Sequence, residues 1–102
     1  MSVYVMGQLN FRSIDHYRRY QAQFPAVFSA SNGKALCADE SPKTLEGDIR
    51  VDKIVLLEFP TEEDAMSFLE SDAYQEIAKD RKTGATGPVF LARGLQPSAS
   101  AN

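Results

Sequence analysis

The sequence predicts an α+β domain: a four-stranded antiparallel sheet with two helices on one face, in the order βαββαβ. Three observations carry this expectation. Residues 3–9, 53–59 and 89–93 are apolar runs of strand length, bounded by turn residues or proline. Stretches beginning at Ile14 and at Glu62 place apolar residues at helical spacing. A chain of 102 residues, 43% of them hydrophobic, suits one compact domain and is too short for two.

Taken in order, Val3, Val5 and Leu9 alternate with Tyr4 and Met6, so the first strand is apolar on both sides. Ser13 is positioned to cap a helix from Ile14, in which Tyr17, Gln21, Phe24 and Phe28 recur on one face. Pro25 lacks an N–H and predicts a kink or restart, and Ser31-Asn32-Gly33 predicts the stop. Residues 34–39 carry small apolar side chains that suit a strand lying close to other backbone. Residues 40–52, with Pro42, Gly47 and several carboxylates, read as a solvated excursion. Residues 53–59 are apolar on both sides and end at Pro60, which predicts a central strand. Thr61 then caps a helix with Glu62, Glu63 and Asp64 at its positive end, and Ser71-Asp72 supplies a second cap. Tyr74, Ile77, Ala78 and Arg81 follow at i, i+3, i+4 and i+7, which puts an arginine on an apolar helix face. Residues 84–88 are a turn and 89–93 a last strand. The domain is expected to span 1–95, with 96–102 a disordered Ser/Ala/Pro tail.

Two helices cover one face of a sheet, yet three of the strands are apolar on both, so a second copy packed sheet against sheet is the expected cover. Other partners are disfavoured. A net charge of −3 opposes binding to phosphate backbones, and Ile54-Val55-Leu56-Leu57 offers aliphatics where an RNA-binding sheet presents aromatics. One cysteine and one histidine preclude an intrachain disulfide and the usual soft-ligand metal cluster, so neither metal nor cofactor is expected. No apolar run exceeds four residues and the start has no signal-peptide pattern, so a cytoplasmic protein without membrane contact is expected.

Gly33-Lys34-Ala35-Leu36, Leu45-Glu46-Gly47, Ile54 to Pro60, Ser71-Asp72-Ala73-Tyr74-Gln75 and Arg81 together resemble, in order and spacing, the family known as domain of unknown function 1330. The resemblance covers roughly residues 3–95. It implies a ferredoxin-like protomer of the dimeric α/β-barrel superfamily and brings no agreed activity. The sequence departs from the family pattern at Ala38-Asp39-Glu40, where relatives tend to carry an arginine and glycines.

Several residues are candidates for chemistry. A guanidinium on an apolar face needs an anion or a route to water, so Arg81 is a candidate anion clamp, and Glu58 on the central strand is its candidate partner. A purely structural ion pair competes with that reading. His16 or Glu58 is a candidate general base; His16 has Tyr20 one turn on, and a solvated helix face is the alternative reading for it. Tyr4, Tyr17, Tyr20 and Tyr74 are candidates to line an aromatic cavity, with Tyr20 and Tyr74 donating hydrogen bonds to a ligand. Cys37 reads as a small buried hydrophobe, and Arg12, Arg18 and Arg19, like the acids of residues 40–52, as solvated charge. The functional expectation is a small-molecule pocket in a homodimer. It would serve either a cofactor-independent enzyme acting on a small organic substrate or a non-catalytic binding or regulatory module. The enzymatic reading follows the resemblance, since dimeric α/β barrels include monooxygenases and isomerases.

Overall fold

The computed structural model describes residues 2–95; the expected tail, 96–102, lies outside the described residues. The sheet is antiparallel. Its central strand β1 (Val3–Phe11) pairs on one side with β3 (Lys53–Phe59), which in turn pairs with β2 (Lys34–Asp39). On its other side β1 pairs with β5 (Val89–Arg93) and, at its C-terminal end, with the two-residue β4 (Ala85–Thr86). The helices are α1 (Ile14–Phe28), α2 (Glu62–Leu69) and α3 (Asp72–Gly84). The architecture is the expected one, except that β4, within residues 84–88 that read as a turn, makes the four-stranded sheet five-stranded; three further details differ.

First, the second helical region is two helices. Ser71 breaks it: its hydroxyl donates to the Phe68 carbonyl at 2.7 Å and accepts the Tyr74 N–H at 3.2 Å, so one helix ends and the next begins at the same side chain. Second, α1 runs from Ile14 to Phe28 without a break at Pro25. Third, Ser13 stands at the N-cap but accepts no backbone N–H; its Oγ lies 2.8 Å from His16 Nδ1 instead. Thr61 caps α2 as expected, accepting the Asp64 N–H at 3.0 Å.

Register sorts the strand residues onto two faces, since side chains alternate with period two. Val3 opposite Phe59, Val5 opposite Leu57 and Leu9 opposite Lys53 point to the helices, and all six are buried. Their core is completed by Tyr17, Tyr20, Ala65, Phe68, Tyr74, Ile77 and Ala78 from the three helices. The other face carries Tyr4 opposite Glu58, Met6 opposite Leu56 and Gln8 opposite Ile54. Phe90 lies beside Met6 and is half exposed. Among the described residues no helix covers this apolar stripe.

A rigid joint fixes α1 against α3. The Gly84 carbonyl, at the end of α3, accepts the N–H groups of both Arg12 and Ser13, at 2.8 and 3.0 Å, just before α1 starts. Approach is close enough that a Cβ on Gly84 would collide with the Tyr17 amide and come within 2.8 Å of the Ser13 carbonyl oxygen. At the same end of the sheet Asp52 accepts the Phe11 N–H at 2.9 Å and donates its own N–H to the Asn10 side chain at 2.9 Å, tying the end of the 40–52 excursion to β1. Gly84→Ala is expected to lower the unfolding free energy by about 3 kcal/mol, as overpacking of well-fitted backbone does. Urea denaturation should register this as a lower midpoint with an unchanged slope.

Candidate functional site: a groove between helix and sheet

The aromatic residues of α1 hold this helix off the sheet. Tyr17, Tyr20, Phe24 and Phe28 follow one another at centroid distances of 5.0–5.7 Å. Phe68 and Tyr74 continue the array across α2 and α3. Beneath the middle of α1, β2 offers only Ala35, Cys37 and Ala38. Large side chains above and small ones below leave a groove of about 180 Å³, walled by Tyr17, Tyr20, Gln21, Phe24 and Pro25 on one side and by the three β2 residues with Lys53, Val55 and Leu57 on the other. The small residues of β2 therefore make room for the groove. Cys37, expected to be buried, is only partly so and lines the groove.

Lys53 brings charge to this apolar space. As the partner of Leu9 it faces the helices, and it is 3% exposed. Its Nζ lies 4.7 Å from the centre of the Tyr17 ring and 3.3 Å from Glu40 Oε2. Glu40 is gripped mainly by Arg18, whose two terminal nitrogens lie 2.5 and 2.7 Å from its two oxygens. That fork, aided by Lys53, holds the Glu40 carboxyl down to about 2 from its ordinary 4.5.

At the inner end the Tyr20 and Tyr74 hydroxyls meet at 3.1 Å, buried between α1 and α3. Burial pushes the Tyr20 hydroxyl well above its usual range and neighbouring Tyr74 adds to this, while Arg81 pulls the other way. The Tyr20 hydroxyl therefore stays protonated at physiological pH, and either oxygen of the pair can be the donor. Behind them lies a cavity of about 40 Å³, bordered by Tyr20, Tyr74, Arg81, Leu69, Gly7 and Val89. One water needs about 10–15 Å³ of such space, so a small polar group fits. Gly7 helps to open it: a Cβ there would meet Leu9 and Val55 only at 3.8–3.9 Å. Arg81 Nε is buried and has no hydrogen-bond partner among the described residues.

Of the sequence candidates, Tyr20, Tyr74 and Arg81 are brought together, with Tyr17 beside them. His16 and Glu58 are not. His16 sits in the first turn of α1 with its ring held by Ser13, and it lines neither groove nor cavity. The expected Glu58–Arg81 pair does not form. Glu58 is one residue out of phase with buried Leu57 and Phe59, so it projects from the opposite face of the sheet, where Tyr4 donates to it at 3.2 Å. The nearby carboxylate raises the Tyr4 hydroxyl above its usual range. Glu58 borders a separate surface hollow with Ser2, Asn32 and Lys34. Tyr4 is likewise absent from the aromatic cavity. Lys53 and Glu40 went unnoticed in the sequence, although the period-two count back from Leu57 and Val55 puts Lys53 on the buried face.

The sequence matches the family described as Domain of unknown function (DUF1330) over residues 2–95. The chain belongs to this family. Solved structures agree in architecture. A protein of unknown function from Rhodopseudomonas palustris superposes with a TM-score of 0.79 at 17% identity, covering 94% of this chain and 84% of that one. SnoaB, a cofactor-independent oxygenase from Streptomyces nogalater, gives 0.67 at 11% identity, covering 93% and 94%. A ferredoxin-like DABB family protein from Mesorhizobium loti gives 0.64 at 10% identity, covering 93% and 98%. Among curated proteins no sequence matches the chain. At these identities the likeness establishes the ferredoxin-like fold for this DUF1330 member, and its chemistry has to be read from its own residues. Among the described residues no helix is long and apolar enough to cross a membrane.

The Glu40 network predicts a pH signature. A carboxyl depressed on folding adds stability that is fully present above its unfolded value of 4.5 and is lost as pH falls through about 2. Thermal unfolding of wild type and Glu40→Gln between pH 7 and pH 2 should therefore converge toward the acid end, with wild type the more stable above pH 5.

Proposed function

We propose that this DUF1330 protein is a cytoplasmic homodimer that binds a small organic molecule in the groove between α1 and the sheet. In this reading Tyr20, Tyr74 and Arg81 meet a polar group that the ligand carries into the inner cavity. The observation that carries the reading is the unpartnered Nε of Arg81, buried beside a cavity that it shares with the Tyr20–Tyr74 pair. Leaving a buried donor unsatisfied costs about 1–3 kcal/mol. A folded chain carries such a cost readily where a ligand oxygen completes the bond. The apolar groove that shares Tyr17, Tyr20, Val55 and Leu57 with this cavity supplies room for the rest of the molecule.

The uncovered stripe of Met6, Ile54, Leu56 and Phe90 supports a second copy as partner, and relatives in fold include a DABB family protein. A standard interface buries about 1,600 Å² in total, and one sheet face of this size is of that order. On catalysis the geometry favours the binding module over base-catalysed chemistry. Neither His16 nor Glu58, the candidate bases, lines the groove, and among the described residues no carboxylate or imidazole does. The cofactor-independent enzyme reading draws its support from the likeness to SnoaB and from the donors at the inner end.

Arg81→Met should unfold within about 1 kcal/mol of wild type, because an unpaired buried polar group is exchanged for an apolar one of similar length. It should also abolish the thermal stabilisation given by small phenols, which for wild type reaches about 2.7 kcal/mol at a hundredfold the dissociation constant. Gly7→Ala should keep stability and weaken the same ligands by filling the cavity. If Arg81→Met instead unfolds several kcal/mol more easily and wild type responds to no ligand, Arg81 is a structural residue and the pocket reading fails. Sedimentation should give twice the 11.3 kDa chain mass, reverting to a single chain in Phe90→Asp; a wild-type monomer at micromolar concentration would remove the dimer.

A further inference from the structure

Lys53 is a buried ammonium with too few acceptors. An ammonium carries three N–H donors. Among the described residues its acceptor is Glu40 Oε2 at a long 3.3 Å, while the Tyr17 ring takes one face of the charge at 4.7 Å. Glu40 is already committed, since the Arg18 fork occupies both of its oxygens at shorter distances. Two cations thus share one carboxylate, and the cluster carries one positive charge in excess. That excess sits at the wall of the groove, because Lys53 lines it together with Tyr17, Cys37 and Ala38 while Arg18 and Glu40 stand outside the lining. A charge 3% exposed is poorly served by bulk water, so an acceptor delivered through the groove has the most to offer it.

We propose that Lys53 is the anion contact of the groove, which makes the site selective for a monoanionic ligand, a small carboxylate on an apolar body. The proposal rests on the groove being a ligand site and adds the charge class of the ligand. The carboxylate takes the free donors of Lys53, its apolar body lies between Phe24 and Pro25 above and Ala35 and Ala38 below, and Glu40, held by Arg18, fixes the ammonium in position. Glu40 is then a positioning residue that also competes with the ligand for the same charge.

The test uses two probes of equal shape, benzoate and benzamide, titrated into the full-length protein at low ionic strength and followed by amide chemical shifts around the groove. Benzoate should bind about tenfold more tightly than benzamide, the low end of what a hydrogen bond to a charged group contributes. Lys53→Met should erase that preference while still binding benzamide, Lys53→Arg should retain it, and Glu40→Gln should enlarge it severalfold by removing the competing carboxylate. A merely structural ion pair would give lower melting temperatures in these variants with the probe ratio unmoved. Equal binding of the two probes by wild type overturns the anion contact and leaves the groove as a ligand site. A preference lost in Arg81→Met but kept in Lys53→Met moves the anion to the inner end and overturns the assignment to Lys53. Binding of neither probe, with no shift of any groove amide, overturns both the contact and the pocket. If Lys53→Met fails to fold, Glu40→Gln and Lys53→Arg still decide: an unchanged ratio in Glu40→Gln counts against the proposal.

Discussion

The spacing between α1 and the sheet governs the rest of this molecule. It is set by ring size: Tyr17, Tyr20, Phe24 and Phe28 project from one helix face onto Phe59, Phe68 and Tyr74. Aromatic side chains interlock at centroid distances of 4.5–7 Å and do not compress, so the helix stands at a fixed height wherever they meet a partner. Toward β1 and α2 they do, and the layer is filled. Toward β2 the chain answers with alanine, cysteine and alanine, and the same height leaves a void. Groove and core are therefore consequences of one packing decision, and the Gly84 joint, which locks the start of α1 to the end of α3, holds both in register with the Tyr20–Tyr74 contact.

Most of the architecture was legible because it follows from periodicity. Period-two runs at 3–9 and 53–59 and the i, i+3, i+4, i+7 series through Tyr74 and Arg81 name the elements and the faces they bury. The differences are local. Ser71 serves as hydroxyl donor to one helix and acceptor for the next, so a cap legible in sequence also became a break. Pro25 left the helix whole, since only the Gln21 carbonyl loses its partner and the apolar face on either side still packs on the same core. For the site, one arithmetic step separated success from failure. Arg81 and Tyr74 share a helix face by count, and Tyr20 reaches them because α1 lies against α3. Glu58 was assigned to Arg81 on strand position alone, but parity with Leu57 and Phe59 sends it to the other side of the sheet. The same parity, applied four residues earlier, sends Lys53 inward. A charged residue at the first position of a strand reads as an exposed terminus, and nothing local announces that residue 40 and residue 18 arrive to pair beside it.

The two faces of the sheet solve different problems. On the helix side nearly every side chain has a neighbour, and the remaining space is small, shaped and bordered by donors. On the other side the register lines up Met6, Leu56, Ile54 and Phe90 with the Tyr4–Glu58 hydrogen bond at one end. A stripe of this kind with a polar pair at its rim is the arrangement of a protein interface, apolar at the centre and hydrogen-bonded at the edge. The groove lies between helix and sheet, separate from that face, so the proposed association and the proposed ligand capture draw on different residues.

The polar inventory of the groove argues for the kind of molecule it holds. Its lining contributes tyrosine hydroxyls, a glutamine amide, a thiol and an ammonium, the cavity behind it adds a guanidinium, and the carboxylate that pairs with Lys53 stands outside, gripped by Arg18. Buried cations and donors favour negative charge on whatever enters, so a bound weak acid loses its proton more readily there than in water. In the proposed site no side-chain base would be needed to hold a ligand ionised, because the positive charge of Lys53 and Arg81 would favour the anion. The absence of His16 and Glu58 from the groove is then consistent with its chemistry: a carboxylate or an enolate would be repelled by a fixed carboxylate and is welcomed by an excess positive charge.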